Sequence, residues 1–597
     1  MAKKILKGIP VSFGISIGKA YLLSRDHFCL APIQNIPEEL VEEELKRVRD
    51  AFDKTLEELK KIRNTISEKH KEYASLIDSH IILLQDPRLR EAVEHYIKDM
   101  KLNAEWALEK GMSKIENYFN FIDNEYLRST VQELRLLTRR VMGHLIGNPE
   151  MIKPITSRVI LIAHDLSPAD TIGLDVSKIM ALVISQGGKT SHVSIIARAM
   201  EIPAIVGVED LEKYVEDGQL IIVDAINGRV VVEPEEKELE YYSDLKYRFE
   251  TYKKELMKTK DLPAVTKDGF RVKIMANIEL LEEVRAVKDY SAEGIGLYRT
   301  EYSYIYRSKL PSEEELYEEY RDLALLLYPQ KVVIRTLDLG GDKLDYARLE
   351  ENGIEESNPA LGLRAIRFCM KYKDIFKTQL RAILRANEAG NIALMFPMIS
   401  GVDELRAAKR VLEEVKKELK KEGVKFKEDI SLGIMIELPS AVITADSLAK
   451  EVDFFSIGTN DLIQYSLGID RTNKYVSHLY QPLHPAIIRS LKEVVEAAHK
   501  NNIEVSVCGE MAVEPFCLPV LLGLKIDSLS VSPQVIPMVK NILRKVKVEE
   551  CVNILKKLLE SNSTAKNNQL VLEYILKKAR EEVMFYSSLV VREEEEE

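Results

Sequence analysis

The sequence predicts a multidomain α/β protein that ends in a (β/α)8 TIM barrel, and three observations support this prediction. The chain has 597 residues, enough for about four domains of ordinary size. A long stretch rich in Glu, Lys and Arg with helical periodicity interrupts strand-like sequence in the N-terminal part. Beyond residue 261, short apolar runs alternate with amphipathic helical patterns, which is typical of a (β/α)8 barrel of roughly 300 residues.

The composition is that of a folded protein with an ample core. Apolar residues make up 46% of the chain and charged residues 30%, which excludes a mainly disordered protein. The 85 basic and 96 acidic side chains give a formal net charge of −11, the wrong sign for a surface that follows nucleic-acid phosphates. We therefore expect no nucleic-acid partner.

Three further features concern the cellular compartment. No run approaches the about 18 apolar residues that a membrane span needs, so we expect no membrane insertion. Five scattered cysteines without a C-x-x-C pair indicate neither a disulfide framework nor a zinc cluster. The basic N-terminus is interrupted by charge, glycine and proline before an apolar core of signal length develops. We predict a cytoplasmic protein.

The N-terminal part combines strands with a helical insertion. Residues 8–23 predict a short strand and turn, whereas 37–143 have the pattern of an antiparallel helical bundle. Asn227-Gly228 is a hairpin-turn signal between the last two strands of this part. Strand patterns return at 159–163, 180–184, 220–223 and 230–232.

These patterns predict the domain organisation. The eight candidate barrel strands start with the runs 272–275, 294–297, 332–334, 393–395, 432–435, 454–456, 504–507 and 528–531. The predicted segments are an α/β domain of residues 1–30 and 146–233, an inserted helical bundle of 31–145, a charged helical linker of 234–262, the barrel of 263–575, and a C-terminal helix with an acidic tail of 576–597.

A histidine lies at a predicted strand-to-helix junction. The segment GGKTSH, residues 187–192, follows a strand and precedes a run with helical spacing. Glycines let backbone amides approach an anion, and a helix N-terminus adds partial positive charge. Neutral imidazole is also a competent nucleophile near pH 7. The segment thus suits a phosphoryl group carried on His192, although a capped helix beside a surface histidine fits the local pattern equally well.

Polar residues follow the predicted barrel strands at the end where such a barrel builds its active site. Glu437 and Asp461 offer hard oxygen ligands suited to Mg²⁺. Arg299, Arg335 and Arg471 suit bidentate binding of phosphate and carboxylate groups, although each arginine alone is more often part of a surface ion pair. A small dianionic or trianionic substrate explains the set better. The residues at strand ends are Arg299, Arg335, Glu437, Asn460, Asp461 and Cys508.

The motifs around these residues closely resemble enzyme I of the bacterial phosphoenolpyruvate:sugar phosphotransferase system. The histidine segment is similar to the phosphohistidine signature that enzyme I shares with pyruvate phosphate dikinase and phosphoenolpyruvate synthase. The resemblance extends over nearly the whole chain. In the barrel it rests on GIGLYRTE at 294–301, RTLDLGGDK at 335–343, NPALGLRAIR at 358–367, GIMIELP at 433–439, GTNDL at 458–462, DR at 470–471 and CGE at 508–510.

The resemblance implies a swivelling phosphohistidine domain and a role for each site residue. It implies autophosphorylation of His192 from phosphoenolpyruvate, then transfer to a histidine of the phosphocarrier protein HPr, the first step of the sugar phosphotransferase system. Cys508 is implied to protonate the pyruvate enolate, although without the resemblance a buried strand-end thiol is the better reading. Arg364 is a further substrate-binding or structural candidate. The implied phosphoenolpyruvate contacts are Arg299, Arg335, Asn460 and Arg471, and the implied metal ligands are Glu437 and Asp461.

The helical insert carries the implied partner surface. The segment HIILLQDP at 80–87 places apolar residues beside an acid near a helix end, and core packing explains it about as well. In enzyme I a similar segment docks HPr, so the resemblance implies contacts around Ile82, Leu83 and Asp86. It also implies a homodimer formed through the barrel.

The sequence argues against two other classes of protein. Dikinases and synthases carry an additional ATP-grasp module, for which this chain has no room, and their loop commonly reads Thr-Cys-His, whereas Ser191 precedes His192 here. A non-catalytic relative that only binds phosphoenolpyruvate or HPr is the alternative from another class of protein. The intact Arg, Glu, Asp, Cys and His positions argue against it.

Overall fold

The computed structural model forms two compact units. The first comprises Met1–Lys246, Ile305–Leu310 and Gly341–Pro359, and the second comprises Tyr247–Tyr304, Pro311–Gly340 and Ala360–Glu597. The residues that the structure describes are 4–23, 36–65, 71–120, 134, 137–138, 140–145, 157–164, 178–186, 197, 201–305, 310–340, 358–471, 473 and 475–587.

An eight-stranded mixed sheet forms the α/β part of the first unit. The strand order is β1-β8-β7-β3-β4-β5-β6-β2, with parallel pairing from β3 to β6 and antiparallel pairing outside it. Alternate residues of β4 enter two separate apolar clusters, so the sheet is covered on both faces. The strands are β1 (Lys4–Lys7), β2 (Ile9–Ser12), β3 (Ile15–Leu22), β4 (Val159–Ala163), β5 (Ile179–Ile184), β6 (Ala204–Val206), β7 (Leu220–Asp224) and β8 (Arg229–Val232).

A helical bundle is inserted between two paired strands of this sheet. Strand β3 pairs in parallel with β4, although more than a hundred residues separate them in sequence. The bundle has its own apolar core, which includes Leu45, Phe52, Leu59, Ile77 and Val93. Its long helices are α1 (Val41–Thr65), α2 (Lys71–Gln85), α3 (Pro87–Lys98) and α4 (Ala104–Asn120). The predicted insertion of a helical bundle into an α/β domain is confirmed.

The hairpin predicted from Asn227-Gly228 joins β7 to β8, which pair antiparallel. Gly228 has φ +66°, and a Cβ there would lie 2.3 Å from the carbonyl oxygen of Gly8. The turn therefore requires glycine for both its backbone conformation and its close packing. Where the sequence predicted one strand and a turn over 8–23, the structure has β2 and β3, and β1 precedes them.

Helix α6 (Glu236–Lys258) occupies the predicted charged linker, after the short helix α5 (Leu211–Tyr214). The boundary between the two units, at Lys246/Tyr247, falls inside α6. The predicted barrel limit at 575/576 falls inside a C-terminal helix that begins at Thr564 and ends at Lys578. The domain boundaries given above remain predictions.

The second unit contains a closed, all-parallel eight-stranded barrel, as predicted. Each strand overlaps its predicted run, because buried parallel strands form short, largely apolar segments. Inside the barrel, a Cβ on Gly433 would lie 2.3 Å from the Phe454 ring, so the missing side chain makes room for that ring. The strands are β9 (Lys273–Ile278), β10 (Gly294–Arg299), β11 (Lys331–Arg335), β12 (Ile392–Phe396), β13 (Ser431–Ile436), β14 (Phe454–Ile457), β15 (Glu504–Val507) and β16 (Ser528–Val531).

Amphipathic helices alternate with these strands and follow the last one. Helix α9 shows how local sequence sets a boundary: Ser312 caps it and Glu315 completes a capping box. No described helix combines the length and the apolar character that crossing a bilayer demands. The helices are α7 (Val284–Asp289), α8 (Tyr302–Ile305), α9 (Glu313–Leu327), α10 (Ile366–Lys371), α11 (Lys373–Ala386), α12 (Val402–Lys421), α13 (Pro439–Ile443), α14 (Ala445–Leu448), α15 (Thr459–Leu467), α16 (Pro485–Lys500), α17 (Leu518–Gly523), α18 (Ile536–Lys545), α19 (Val548–Glu560), α20 (Thr564–Lys578) and α21 (Arg580–Tyr586).

Candidate active site at the barrel mouth

The carboxyl ends of the barrel strands bring the predicted polar residues to one rim. Arg299 and Arg335 are the last residues of β10 and β11. Glu437 directly follows β13, and Cys508 directly follows β15. Asp461 lies in the first turn of α15, which begins two residues after β14. Because neighbouring parallel strands end at the same edge, the side chains converge on one site.

Two arginines of this rim are paired with carboxylates. The Nη1 of Arg299 donates to Glu279 Oε1 at 2.5 Å. The Nη2 of Arg335 donates to Glu301 Oε1 at 2.7 Å, and its Nη1 lies 2.9 Å from Asp338 Oδ2. Burial lowers the pKa of both guanidinium groups, but the carboxylates outweigh it and the pKa of each lies above its ordinary value. Both arginines therefore stay charged.

A second part of the network is built around Asp461. The Nη2 of Arg364 donates to Asp338 Oδ1 at 2.9 Å and to Asp461 Oδ2 at 3.1 Å, while its Nη1 donates to the Tyr465 hydroxyl at 3.1 Å. The Nη1 of Arg471 lies 3.4 Å from Asp461 Oδ1. Arg364, the secondary candidate of the sequence, is thus an integral part of the site.

Glu437 is the most buried carboxylate of the site, with 2% of its surface exposed. Its Oε1 accepts a hydrogen bond from the backbone N–H of Met398 at 2.6 Å. Burial, followed by the negative charges of Asp461 and Asp338, raises the pKa of Glu437 to about 8. A Cβ on Gly458 would lie 2.8 Å from Glu437 Oε2, so glycine makes room for this oxygen. The site thus holds a carboxylate whose anion lacks sufficient positive charge nearby.

The donor set suits a hard divalent cation. Glu437 and Asp461 are oxygen ligands that carry mutually unfavourable negative charge, which a cation between them would relieve. Among the described residues, no three His, Cys, Asp or Glu side chains form a complete metal cage. An ion such as Mg²⁺ usually takes only one or two protein carboxylates and fills its shell with water and substrate oxygens. The residues present fit such an ion.

The formal charge of the rim is close to zero. Four guanidinium groups face five carboxylates, which gives a formal net charge of −1 with all of them ionised. A trianionic substrate therefore needs more positive charge than these side chains provide. The charged groups are Arg299, Arg335, Arg364, Arg471, Glu279, Glu301, Asp338, Glu437 and Asp461.

Cys508, the residue after β15, has 5% of its surface exposed. Its Sγ is 3.6 Å from the carbonyl oxygen of Ile457, and its own carbonyl accepts a hydrogen bond from Asn277 Nδ2 at 3.1 Å. Burial raises the pKa of the thiol, while Ser456 and Arg335 act in the opposite direction. The sulfur is therefore held as a protonated thiol near neutral pH, which is the form that can give up a proton.

Asn460 is oriented by two hydrogen bonds to its side-chain oxygen. The Oδ1 accepts from the backbone N–H of Glu510 at 2.7 Å and from the Tyr480 hydroxyl at 3.3 Å. These bonds fix the amide plane and leave the Nδ2 as the group that can donate to a ligand.

Sequence reasoning missed the acidic partners of the arginines. Glu301 and Asp338 lie within the motifs quoted above, but their chemistry alone did not indicate pairing. Glu279 follows β9 directly, so the rule that found Arg299 also applies to it. Asn277, which donates to the Cys508 and Ser530 carbonyls, carried no signal of its own.

The N-terminal candidates are placed less completely. His192 lies outside the described residues. Ile82 is 61% exposed on α2, whereas Leu83 is partly buried against the bundle core. Asp86 caps α3, because its Oδ1 accepts from the backbone N–H of Arg88 at 2.9 Å. Hydrogen bonding to the Arg88 side chain lowers the pKa of Asp86. Of these three residues, Ile82 presents the most free surface to a partner.

Comparison with known proteins shows which family this chain resembles. Residues 7–129, 155–228 and 253–548 match models described as PEP-utilising enzyme N-terminal, mobile and PEP-binding domains, respectively. The phosphoenolpyruvate-protein phosphotransferase of Staphylococcus aureus is 42% identical over 89% of this chain and 92% of its own length. That of Bacillus subtilis is 41% identical over 94% of this chain and 97% of its own length. An NMR solution structure of Enzyme I is 34% identical, covers 41% of this chain and 99% of that chain, and gives a TM-score of 0.32.

The three matched domains and the polar barrel mouth define a PEP-utilising enzyme, a class that depends on metal ions. The chain belongs to the phosphoenolpyruvate-protein phosphotransferase family. It is accordingly an enzyme that transfers a phosphoryl group from phosphoenolpyruvate to protein, the first step of the sugar phosphotransferase system.

Proposed function

We propose that phosphoenolpyruvate binds at the barrel mouth, phosphorylates His192 and leaves as pyruvate, and that phospho-His192 then phosphorylates a histidine of HPr. The observation that supports this most directly is the convergence of four guanidinium groups and two mutually repelling carboxylates on one rim. A guanidinium fork matches the geometry of phosphate and carboxylate oxygens. A substrate that carries both a phosphate and a carboxylate can therefore bind several of these guanidinium groups at once.

The arginines bind and orient the substrate. Arg299, Arg335 and Arg471 offer bidentate donors to the phosphate and carboxylate, and the Nδ2 of Asn460 offers a further donor. Because these groups are held in place by carboxylates and backbone before substrate arrives, little reorganisation is needed when charge redistributes during transfer. The His192 imidazole attacks phosphorus in line with the bridging oxygen, and the P–O bond to pyruvate breaks.

Glu437 and Asp461 are the proposed ligands of Mg²⁺. The ion, when bound, supplies positive charge to the oxygens of the transferring phosphoryl group and the enolate. This fits the shortfall of positive charge on the rim, and it gives Glu437 and Asp461 a role in a site built for an acidic substrate.

Cys508 is the proposed acid for the product. The enolate left by phosphoryl transfer takes the thiol proton onto its terminal carbon and becomes pyruvate, and the thiolate recovers a proton from solvent before the next turnover. The raised pKa of the thiol keeps the proton available, and nearby Arg335 favours the transient thiolate. Protonation of the enolate makes transfer to His192 difficult to reverse.

HPr is the proposed acceptor, and the exposed Ile82 with Leu83 and Asp86 is its proposed docking surface. An apolar residue beside an acid suits a partner that carries apolar and basic residues. We further propose a homodimer and a cytoplasmic location. The latter is supported by the free, buried thiols of Cys369, Cys508, Cys517 and Cys551.

The proposal is tested by incubating the full chain with Mg²⁺ and phosphoenolpyruvate labelled in its phosphoryl group. We expect one acid-labile, base-stable phosphoryl mark per chain, which adding HPr transfers to HPr. The His192→Ala variant should take up no label, although it should still bind phosphoenolpyruvate. Label that persists in this variant would contradict the assigned acceptor.

A further inference from the structure

We propose that Asp338 is a positioning residue that fixes two guanidinium groups, those of Arg335 and Arg364, as one substrate clamp. This inference rests on the proposed function of the barrel mouth. The Asp338 carboxylate uses one oxygen for each arginine: Oδ2 lies 2.9 Å from Arg335 Nη1, and Oδ1 accepts from Arg364 Nη2 at 2.9 Å. Asp338 follows β11 and is itself not among the proposed substrate contacts.

The backbone around Asp338 is held on both sides. Its own N–H donates to Glu301 Oε1 at 3.1 Å, and the preceding Leu337 N–H donates to Gln379 Oε1 at 3.0 Å. The N–H of Ala365 donates to the Leu339 carbonyl at 3.0 Å, which fixes Arg364 beside the acid. Only 5% of the Asp338 side chain is exposed. The carboxylate is therefore a rigid reference point rather than a mobile surface acid.

A carboxylate is the side chain that can serve both arginines. It accepts hydrogen bonds on two oxygens, whereas asparagine offers one oxygen and turns two N–H donors toward a group that itself only donates. In Asp338→Asn, one of the two guanidinium groups consequently loses its hydrogen bond to residue 338. Arg335 keeps Glu301, and Arg364 keeps Asp461 and Tyr465, so the link that holds the two guanidinium groups at a fixed distance from each other is what is lost.

The positioning role can be separated from a simple charge effect because the two predict opposite signs. Removing one negative charge from the rim should, by Coulomb attraction alone, tighten binding of an anionic substrate. Loss of the clamp should weaken it. We therefore expect Asp338→Asn to raise the dissociation constant for phosphoenolpyruvate by about tenfold, in line with the loss of one charge-assisted hydrogen bond.

The experiment measures phosphoenolpyruvate binding with Mg²⁺ by calorimetry, in the full chain carrying His192→Ala so that no turnover occurs. Glu404→Gln is the charge control: Glu404 lies in the first turn of α12, its Oε2 accepts from the Ser400 backbone N–H and hydroxyl, and it is not among the charged rim groups named above. We expect this control to bind within about threefold of the parent or more tightly. Thermal unfolding of each variant establishes that it is folded.

A double-mutant cycle provides the second measurement. If Asp338 acts through Arg364, then Asp338→Asn should change binding less in an Arg364→Ala background than in the parent. Binding by Asp338→Asn that equals or exceeds the parent, or strictly additive effects, would overturn the positioning role while leaving the proposed function intact. If the His192→Ala parent does not bind phosphoenolpyruvate and the wild-type chain forms no pyruvate, the proposed function is overturned, and this inference with it.

Discussion

The barrel mouth and the helical bundle both contain many ion pairs, but they place them in different surroundings. In the bundle, the side chains of Arg49 and Glu94 are 51% and 25% exposed, and the Arg49 hydrogen bond helps lower the pKa of Glu94 to about 2. At the mouth, Arg335 and Asp338 are only 10% and 5% exposed. There, burial raises the pKa of Glu437 to about 8.

The difference in burial indicates separate roles for the ion pairs of the bundle and those of the barrel mouth. Exposed pairs contribute about 1 kcal/mol or less and are screened by salt, so they solubilise the bundle without deciding its fold. Buried pairs cost desolvation energy, which a well-packed apolar core would avoid. The mouth retains them because an anionic substrate needs donors that are already in position. Stability and function are thus separable in the bundle and coupled at the mouth.

The largest expected effect is at Arg335. In Arg335→Ala, Glu301 and Asp338 stay buried without their shared cation, so we expect the free energy of unfolding of the barrel to fall by about 3–5 kcal/mol. Pyruvate formation should be lost as well. Denaturant unfolding and a pyruvate assay measure the two effects. An unchanged unfolding midpoint would show that the barrel mouth tolerates unpaired charge. Its buried ion pairs would then matter no more for stability than the exposed pairs of the bundle.

The pH dependence of stability should follow Glu437. Its pKa is raised from 4.5 to about 8 on folding, so the folded chain holds a proton that the unfolded chain releases. The resulting stability is fully present below about pH 4.5 and is lost as pH rises to about 8, with a slope of at most about 1.4 kcal/mol per pH unit. Unfolding measured in EDTA between pH 5 and 8 tests this.

Added Mg²⁺ serves as the control for that measurement. Because the ion binds the ionised carboxylate, it should flatten the pH dependence and release a proton on binding. Glu437→Gln should abolish the slope in EDTA. A slope that persists in this variant would assign the titration to another group.

A smaller effect is expected from a substitution on the proposed docking surface. The Ile82→Asp variant should raise the KM for HPr by about tenfold, because it loses apolar contact and must desolvate a charge when HPr binds. Pyruvate formation in the absence of HPr, limited to one equivalent per chain, should be unchanged. Met100→Asp is the matched control, because Met100 is 59% exposed and Ile82 61%, and Met100 lies outside the predicted surface. Equal effects of the two variants would argue against docking at Ile82.

The smallest effect is expected for an exposed pair. Arg49→Ala should lower the free energy of unfolding by less than about 1 kcal/mol, and less still at high salt. Turnover with phosphoenolpyruvate and HPr should not change. A loss as large as that of Arg335→Ala would show that burial does not separate the two regions.

Much of the architecture was predictable because it rests on local periodicity. The eight barrel strands appear in the sequence as short buried runs, and Asn227-Gly228 marked its hairpin because few residues accept its backbone conformation. Pairing of β3 with β4 confirmed the inserted bundle. Strand β6, at three residues, was too short to give a pattern.

The sequence by itself determined which residue types reach the barrel mouth. A residue that follows a parallel strand lies at the carboxyl edge of the barrel, and the strand ends can be read from the sequence. Only the tertiary structure decided their partners. Glu279, Glu301 and Asp338 are ordinary acids in sequence, and their pairing with arginines depends on the spacing of strands far apart along the chain. The same holds for the raised pKa of Glu437, since burial and neighbouring charge are properties of the closed barrel and not of any local segment.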